Sequence, residues 1–306
     1  MTPTPLTPPT ASSDAPLPAN PLGAPPLPAF TPAESALVDG LVAALLAARR
    51  SGVPLPATPA WCNGVNSVEL AAAVQAGVGQ ALGAWAPGQV PGVWKSGAGS
   101  RDRPLSHAPC LPEGVVQLAA GEEADLRGRA WQAPGLEAEV ALKLGQAVTP
   151  AMARALTPES AAALVSHRAV AVEVVASRWA PQPEPTALLK TADFQVHGGL
   201  VIGPWQAVPA SERTTPRDWS AQACRLALID TASGRVIEQL DRTGTHPLGT
   251  PEWLLPIWLA HLTRHGATVP AGTVVTTGTW TGMTPLQPGQ QARVAFEGLG
   301  EVRLRY

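Results

Sequence analysis

The sequence predicts a β-rich α+β fold, and three observations lead there. The stretch Gly135–Leu144 reads GLEAEVALKL and alternates at period two. Ala138, Val140, Leu142 and Leu144 share one side, and Glu137, Glu139, Ala141 and Lys143 share the other, which is the pattern of a half-buried strand. Residues 169–175 read AVAVEVV, a β-branched apolar run interrupted only by Glu173; such a run predicts a strand covered on both faces. The third observation is the number of further short strand-like segments beside few helical ones, which argues for α+β rather than an alternating α/β chain.

Along the chain the expected elements are as follows. Residues 1–30 form a Pro-rich leader: ten of the 34 prolines precede residue 29, with almost no charge. Proline fixes φ and removes donors, so this leader should be extended and unpacked. It has neither the basic start and apolar core of a signal peptide nor the arginines of a transit peptide. A Pro-rich docking ligand is the alternative. Thr31-Pro32-Ala33-Glu34 then opens a helix with an N-cap, a proline at the first turn and a capping-box glutamate, and Gly52 stops it after Arg49-Arg50. Residues 53–60 read as a loop. Ser67 caps a second helix to about Leu82. Its glycines Gly77, Gly79 and Gly83 nearly match a dinucleotide fingerprint, but the spacing is wrong and no strand precedes them. These two helices make a small N-terminal helical unit, residues 31–90, that flanks the site.

Residues 89–97 predict a strand carrying Lys95, with His107 in the loop beyond it. Residues 115–119 and 130–144 are further strands. Thr157 caps a helix running through Arg168, with the Glu173 strand directly after. Residues 192–203 form a glycine-rich strand region, where Gly198 and Gly199 permit close approach of backbone or ligand. Residues 225–230 and 235–240 form a hairpin. Thr250 caps the last main helix, to about His265, and Pro256 should bend it. Strands over 274–277, 292–296 and 301–305 close the chain.

Composition bounds the function. The chain has 306 residues and a net charge of −2, which gives no footprint for nucleic acid or an anionic membrane. Cys62, Cys110 and Cys224 lie far apart, which suits a reducing, cytoplasmic setting and no disulfide framework. No apolar run reaches the ~18–20 residues of a membrane span. Serine-hydrolase and zinc-protease motifs are absent.

The chemistry is carried by acids. Glu137 and Glu139 lie side by side on one strand face; they form either a solvated face partly neutralised by Lys143, or ligands of a cation that relieves their repulsion. Glu173 in an apolar strand must be paired, protonated or metal-bound. Three oxygen donors without a matching His or Cys set suit Mg²⁺ or Mn²⁺ better than zinc. Asp193 is expected to pair with a basic residue or a bound water.

Glu137-Ala138-Glu139-Val140-Ala141 and Val172-Glu173-Val174-Val175-Ala176-Ser177-Arg178 resemble the metal-binding strands of the 2-keto-4-pentenoate hydratase family, within the fumarylacetoacetate hydrolase superfamily. Val93-Trp94-Lys95-Ser96-Gly97 resembles the family's lysine strand. Ala192-Asp193 through Gly198-Gly199-Leu200-Val201-Ile202-Gly203 resembles its acid-and-glycine segment, and residues 271–279, 288–289 and 298–302 resemble its closing region. The sequence departs at Ala176, where the family carries Asp, and at His197, where the family carries a small residue.

The resemblance implies a fumarylacetoacetate hydrolase-like mixed β-roll over residues 91–306. It implies a divalent cation, Mg²⁺ or Mn²⁺, on Glu137, Glu139 and Glu173. Lys95, Asp193 and His107 are the catalytic candidates; Thr277, Gly278, Thr279, Gly198 and Gly199 are the substrate-binding candidates. The expected reaction is hydration of a 2-hydroxy-2,4-dienoate to a 4-hydroxy-2-oxo acid. Lys95 would carry a proton, its pKa lowered by burial beside a cation, or anchor a carboxylate. The alternatives are decarboxylation of a 2-oxo dioate, C–C hydrolysis of an acylpyruvate with His107 helping to activate water, and a catalytically silent oxo-acid binder. A small 2-oxo or 2-enol acid is the expected partner, in a homo-oligomer without nucleic acid or membrane.

Overall fold

The computed structural model describes residues 29–213 and 217–306; the leader lies outside them but for its last two residues. An N-terminal helical layer consists of α1 (Pro32–Ser51), α2 (Pro59–Gly64) and α3 (Val68–Ala81). Strands β1 (Val93–Gly97), β2 (Ser106–Pro109), β3 (Val115–Gln117), β4 (Ala124–Asp125) and β5 (Gly135–Leu144) follow. Two short helices, α4 (Pro150–Arg154) and α5 (Pro158–Ala162), lead to β6 (Val165–Val175). Next come α6 (Ala187–Ala192), β7 (His197–Ile202), β8 (Gln206–Ala207), β9 (Ala223–Asp230) and β10 (Val236–Thr243). The last elements are α7 (Leu255–Thr263), β11 (Val274–Thr276), β12 (Thr284–Pro285), β13 (Gln290–Phe296) and β14 (Gly300–Arg305).

The strands make two sheets. The larger runs β2-β1-β11-β5-β6-β7-β3, with β12 added to β5 and β8 to β6; the smaller runs β10-β9-β13-β14-β4. They share one apolar core. Val140 and Leu142 of β5 and Val170, Val172 and Val174 of β6 meet Leu226 and Leu228 of β9 and Val294 and Phe296 of β13 there. Helix α7 adds Leu255, Trp258, Leu259 and Leu262 to the same cluster. Because strand side chains alternate, the opposite face of the large sheet carries Ala141, Ala169 and Ala171, and these small residues leave room for larger neighbours. The mixed α+β architecture expected from the strand pattern is thus present.

The helical layer is not a separate ball. Leu41 and Leu45 of α1 and Leu70, Val74 and Val78 of α3 share a second core with Ala108, Leu111, Trp179, Leu189 and Phe194. The capping box predicted at Thr31 and Glu34 forms, and Gly52 ends α1 in the left-handed region at φ 68°. The glycines of α3 serve packing: an added Cβ would lie 2.7 Å from Val42 at Gly77 and 2.0 Å from the Trp85 indole at Gly79.

Several expectations are corrected. The helix expected through Arg168 stops at Ala162, and Val165–Arg168 open β6. Arg168 is buried between Glu252, 3.0 Å away, and Glu212, so tertiary ion pairing overrides its helix propensity. Strand β5 is not half solvated: it lies between β11 and β6, and both its faces are largely covered. Lys143 does not neutralise the glutamates but sits 3.9 Å over the Trp205 ring. Pro256 falls in the first turn of α7, after a 3₁₀ turn at Pro251–Leu254, where a missing N–H costs nothing and no bend is imposed. Residues 59 and 60, expected as the end of a loop, instead open α2, capped by Thr58.

Gly79→Ala should destabilise the protein by ~1–3 kcal/mol through overpacking against Trp85. Gly40→Ala, on α1 with nothing within 4 Å of its added methyl, should be neutral or stabilise by up to ~1 kcal/mol. Urea melts of the two variants beside the parent check this pair; equal midpoints would refute the packing account.

Candidate metal centre and active site

The site is built by strand register. Glu137 of β5 lies directly opposite Glu173 of β6, and Glu139 opposite Ala171. Residues opposed in an antiparallel pair have Cβ atoms roughly 4.5–5.5 Å apart, so two carboxylates face each other and a third stands one pleat away. One ligand atom from each of Glu137, Glu139 and Glu173 lies within 4.8 Å of the other two. On the far side of β5, β11 pairs Thr276 with Ala141, and β1 pairs Lys95 with Thr276. That row brings the Lys95 ammonium to Glu173 Oε1, with which it forms an ion pair. The same ammonium donates to the Gln195 carbonyl at 3.1 Å. A cleft of about 400 Å³ opens over this group, and Ser96, Gln195, Pro247, Thr276, Gly278 and Thr279 also line it.

The electrostatics follow from burial. Glu139 and Glu173 are 2% and 1% exposed. Burial, and next the neighbouring Glu173 charge, push Glu137 up to about 7. Burial together with Glu173 and Glu137 pushes Glu139 up to about 8, although the Gly278 N–H donates to its Oε2 at 3.0 Å. Glu173 itself is held below the usual carboxylate range: burial opposes its charge, but Lys95 and His197 outweigh burial. At Lys95 burial works against the charge, yet Glu173, with Glu137 and Glu139 adding, raises it above the ordinary lysine value; the expected lowering is for Lys95 beside a bound cation.

The donor set fits a hard divalent cation. Glu173 Oε2 is buried and has no hydrogen-bond partner, an arrangement costly for a carboxylate oxygen unless something binds it. Ligands on opposite sides of a cation at ~2.1–2.5 Å lie about 4–5 Å apart, which matches the spacing of the three carboxylates. Fully ionised, the three acids and Lys95 leave two negative charges, which a divalent ion neutralises.

The structure brings together Lys95, Glu137, Glu139, Glu173, Gly278 and Thr279 at one cleft. The other candidates lie elsewhere. His107 lies not in a loop but on β2, paired with Ser96 of β1, and is buried, with Nδ1 2.8 Å from Ser96 Oγ and its ring 4.6 Å from that of His261. Burial and the nearby Arg264 push it down to about 4. Asp193 is fully buried and accepts from Arg178 Nε at 2.6 Å and from the Arg178 N–H at 3.1 Å; the basic partner expected for it is Arg178. Thr277 is buried and donates to the Val140 carbonyl at 2.9 Å. Gly198 packs against Ala176, where an added Cβ would lie 2.7 Å away, and Gly199 against Gly114.

Sequence reasoning missed Gln195. Phe194, Gln195 and Val196 all adopt positive φ, at 55°, 53° and 55°, a conformation that costs non-glycine residues energy. This turn aims the Gln195 carbonyl at Lys95, and no glycine in it announces the geometry. His197 stood out in sequence, but its role did not: Nδ1 lies 3.4 Å from Glu173 Oε1. Thr276 was also missed; its Oγ1 is buried without a partner beside the carboxylates.

Comparison with solved structures finds the same fold in one enzyme solved twice. The 4-oxalocrotonate decarboxylase from Pseudomonas putida G7, complexed with calcium and acetate, matches at TM-score 0.69 and 20% identity, covering 90% of this chain and 98% of that one. The same enzyme complexed with magnesium and adipate matches at TM-score 0.70 and 18% identity, over 90% and 98% of the two chains. Fumarylpyruvate hydrolase from Pseudomonas aeruginosa, in complex with Mn²⁺ and pyruvate, matches at TM-score 0.47 and 20% identity, over 70% and 88%. Comparison with curated protein sequences gives no match. Among the described residues no helix is long and apolar enough to cross a membrane. Residues 60–305 match the model of the fumarylacetoacetate (FAA) hydrolase C-terminal family; with that match across the two sheets and the carboxylate cleft, the chain belongs to this family.

Proposed function

We propose that the protein is a metal-dependent hydratase that adds water to a 2-hydroxy-2,4-dienoate of the 2-oxo-4-pentenoate type, giving a 4-hydroxy-2-oxo acid. The observation that carries metal-dependent oxo-acid chemistry is the convergence of Glu137, Glu139 and Glu173, with Glu173 Oε2 buried and unpartnered. Hydration within that chemistry is supported by the resemblance of residues 137–141 and 172–178 to the hydratase strands. Glu137, Glu139 and Glu173 would hold a divalent cation, which would supply Lewis acidity at the substrate's C2 oxygen.

The chain's own residues do the rest. Lys95, pinned between Glu173 Oε1 and the Gln195 carbonyl, delivers the proton that the terminal dienol carbon needs on ketonisation. It regains a proton from the C2 hydroxyl, so this step is a balanced tautomerisation. Water then adds its hydroxyl to C4 and its proton to C3. The unpartnered Thr276 hydroxyl at the cleft is left to bind a substrate oxygen, while the Thr279 hydroxyl beside it is held by Gly282 and Thr281. His197 orients Glu173 from behind.

Decarboxylation of a 2-oxo dioate is the second reading, favoured by the fold likeness to 4-oxalocrotonate decarboxylase. C–C hydrolysis of an acylpyruvate is the third reading; His107 does not line the cleft, but His197 faces Glu173 at 3.4 Å. Loss of dienol absorbance and release of CO₂ from a 2-oxo dioate, measured side by side, separate the first two.

Three outcomes are expected. Turnover disappears after exhaustive chelation and returns with Mg²⁺ or Mn²⁺; full activity in the stripped protein would reject the mechanism. Glu139→Gln loses at least ~10² in kcat while keeping its fold, as does Lys95→Met, since proton transfer by a positioned group is worth ~10²–10⁴. The cation displaces protons from carboxyls raised to about 7 and about 8. Below those values the acids hold protons that compete with metal; above them they do not. Affinity should therefore rise between pH 6 and pH 8, with proton release on titration, and a flat profile by calorimetry would contradict the buried-acid account.

A further inference from the structure

A second cleft, of about 350 Å³, shares no residue with the carboxylate cleft. It lies between α1, the residues after β6 and the start of β7. Arg49, Arg50, Arg129 and Arg178 line it, against a single acid, Glu113. Asp193 already serves Arg178, which also donates to the His197 carbonyl at 2.7 Å. Arg49 is far less engaged. Its Nη2 reaches Asp193 Oδ1 only at 3.5 Å, its Nε is buried without a partner, and its guanidinium lies 5.1 Å over the Phe194 ring. Burial, and then the charge of Arg178, push Arg49 down to about 10, as expected for a cation short of counter-charge.

The second independent feature is His197. It is 2% exposed, lines the cleft, and its Nε2 has no partner. A hydroxyl can meet the unpartnered Nε2 either as donor or as acceptor. The wall thus offers spare guanidinium donors and one buried ring nitrogen without a partner. An anion alone satisfies the first; an anion carrying its own O–H satisfies both.

We propose that this arginine cleft is a binding site for a small hydroxylated oxyanion, of the hydrogen-phosphate or 2-hydroxycarboxylate kind, distinct from the oxo-acid cleft. The cleft's volume is at the small end for ligand sites, ~300–1,000 Å³, and bidentate guanidinium recognition of such anions is favourable. The site does not rest on the reaction assigned above, because none of its lining residues lines the carboxylate cleft.

The test is calorimetric titration of the chelator-treated 306-residue chain with inorganic phosphate, glycolate and acetate. Metal removal prevents chelation of the probe at the glutamates. Saturable binding of phosphate or glycolate is expected, tighter than acetate, and the tighter of the two identifies the anion class. Arg49→Met should weaken it about tenfold or more, the loss expected for hydrogen bonds to a charged group. Glu139→Gln should leave it unchanged. Ala176→Asp, which puts a carboxylate on the cleft wall, should abolish it. Gly114→Ala gives a reading that does not depend on removing an arginine: its methyl would stand 3.6 Å from His197 Nε2 and should erase the preference for glycolate over acetate. No saturable heat with either hydroxylated anion, or equal affinity in Arg49→Met, would overturn the proposal.

Discussion

The structure is organised around an electrostatic conflict. Three glutamates project from neighbouring pleats of the most enclosed strands of the large sheet, where the surrounding protein limits screening by water. Coulomb repulsion at such distances is several-fold stronger than in water. Lys95 relieves it only in part, since its ammonium is committed to Glu173 and the Gln195 carbonyl. The remainder is held off by protons on Glu137 and Glu139, or by a bound cation. The architecture serves this arrangement. Alanines on the acids' face leave space, the valines behind them lock the strands into the shared core, and β11 and β1 carry the lysine round to meet the acids.

Around that centre lies a shell of rigid supports. Asp193 and Arg178 join the end of β6 to the turn before β7 through several hydrogen bonds. That turn is the left-handed one carrying Gln195. Strain there is tolerable because neighbours over-determine it: Phe194 is buried in the helical layer's core, and Gln195 also donates to Ser106. The N-terminal helices therefore help hold the cleft although none of their residues line it. His197 stands between the two clefts, with one ring nitrogen toward Glu173 and the other in the arginine-lined space. Any ligand in the second cleft would touch the residue whose other ring nitrogen faces Glu173.

Much was legible in the chain because it depends on local periodicity. Alternation at 135–144 marked β5, and the β-branched run at 169–175 marked the interior of β6. Thr31, Glu34 and Gly52 bounded α1, and the turn at 231–234 marked the β9–β10 hairpin. Misreadings occurred where a distant partner decided. Arg168 looked helical but is a strand residue held by Glu212 and Glu252. Lys143 looked like a neutralising partner because it is near in sequence, but it stacks on Trp205. His107 looked adjacent to the site because it follows Lys95; β2 pairs with β1 and turns it to the buried side, onto Ser96.

The sequence by itself determined which residues could form strands, which of them carried acids, and the spacing that put Glu137 and Glu139 on one face, because these follow from side-chain alternation at period two. Only the tertiary structure decided that Glu173 stands opposite Glu137, that Lys95 arrives through an intervening strand, and that a turn with three positive φ values delivers Gln195. Register between strands distant in sequence is set by how whole faces bury together, and no local pattern encodes that pairing.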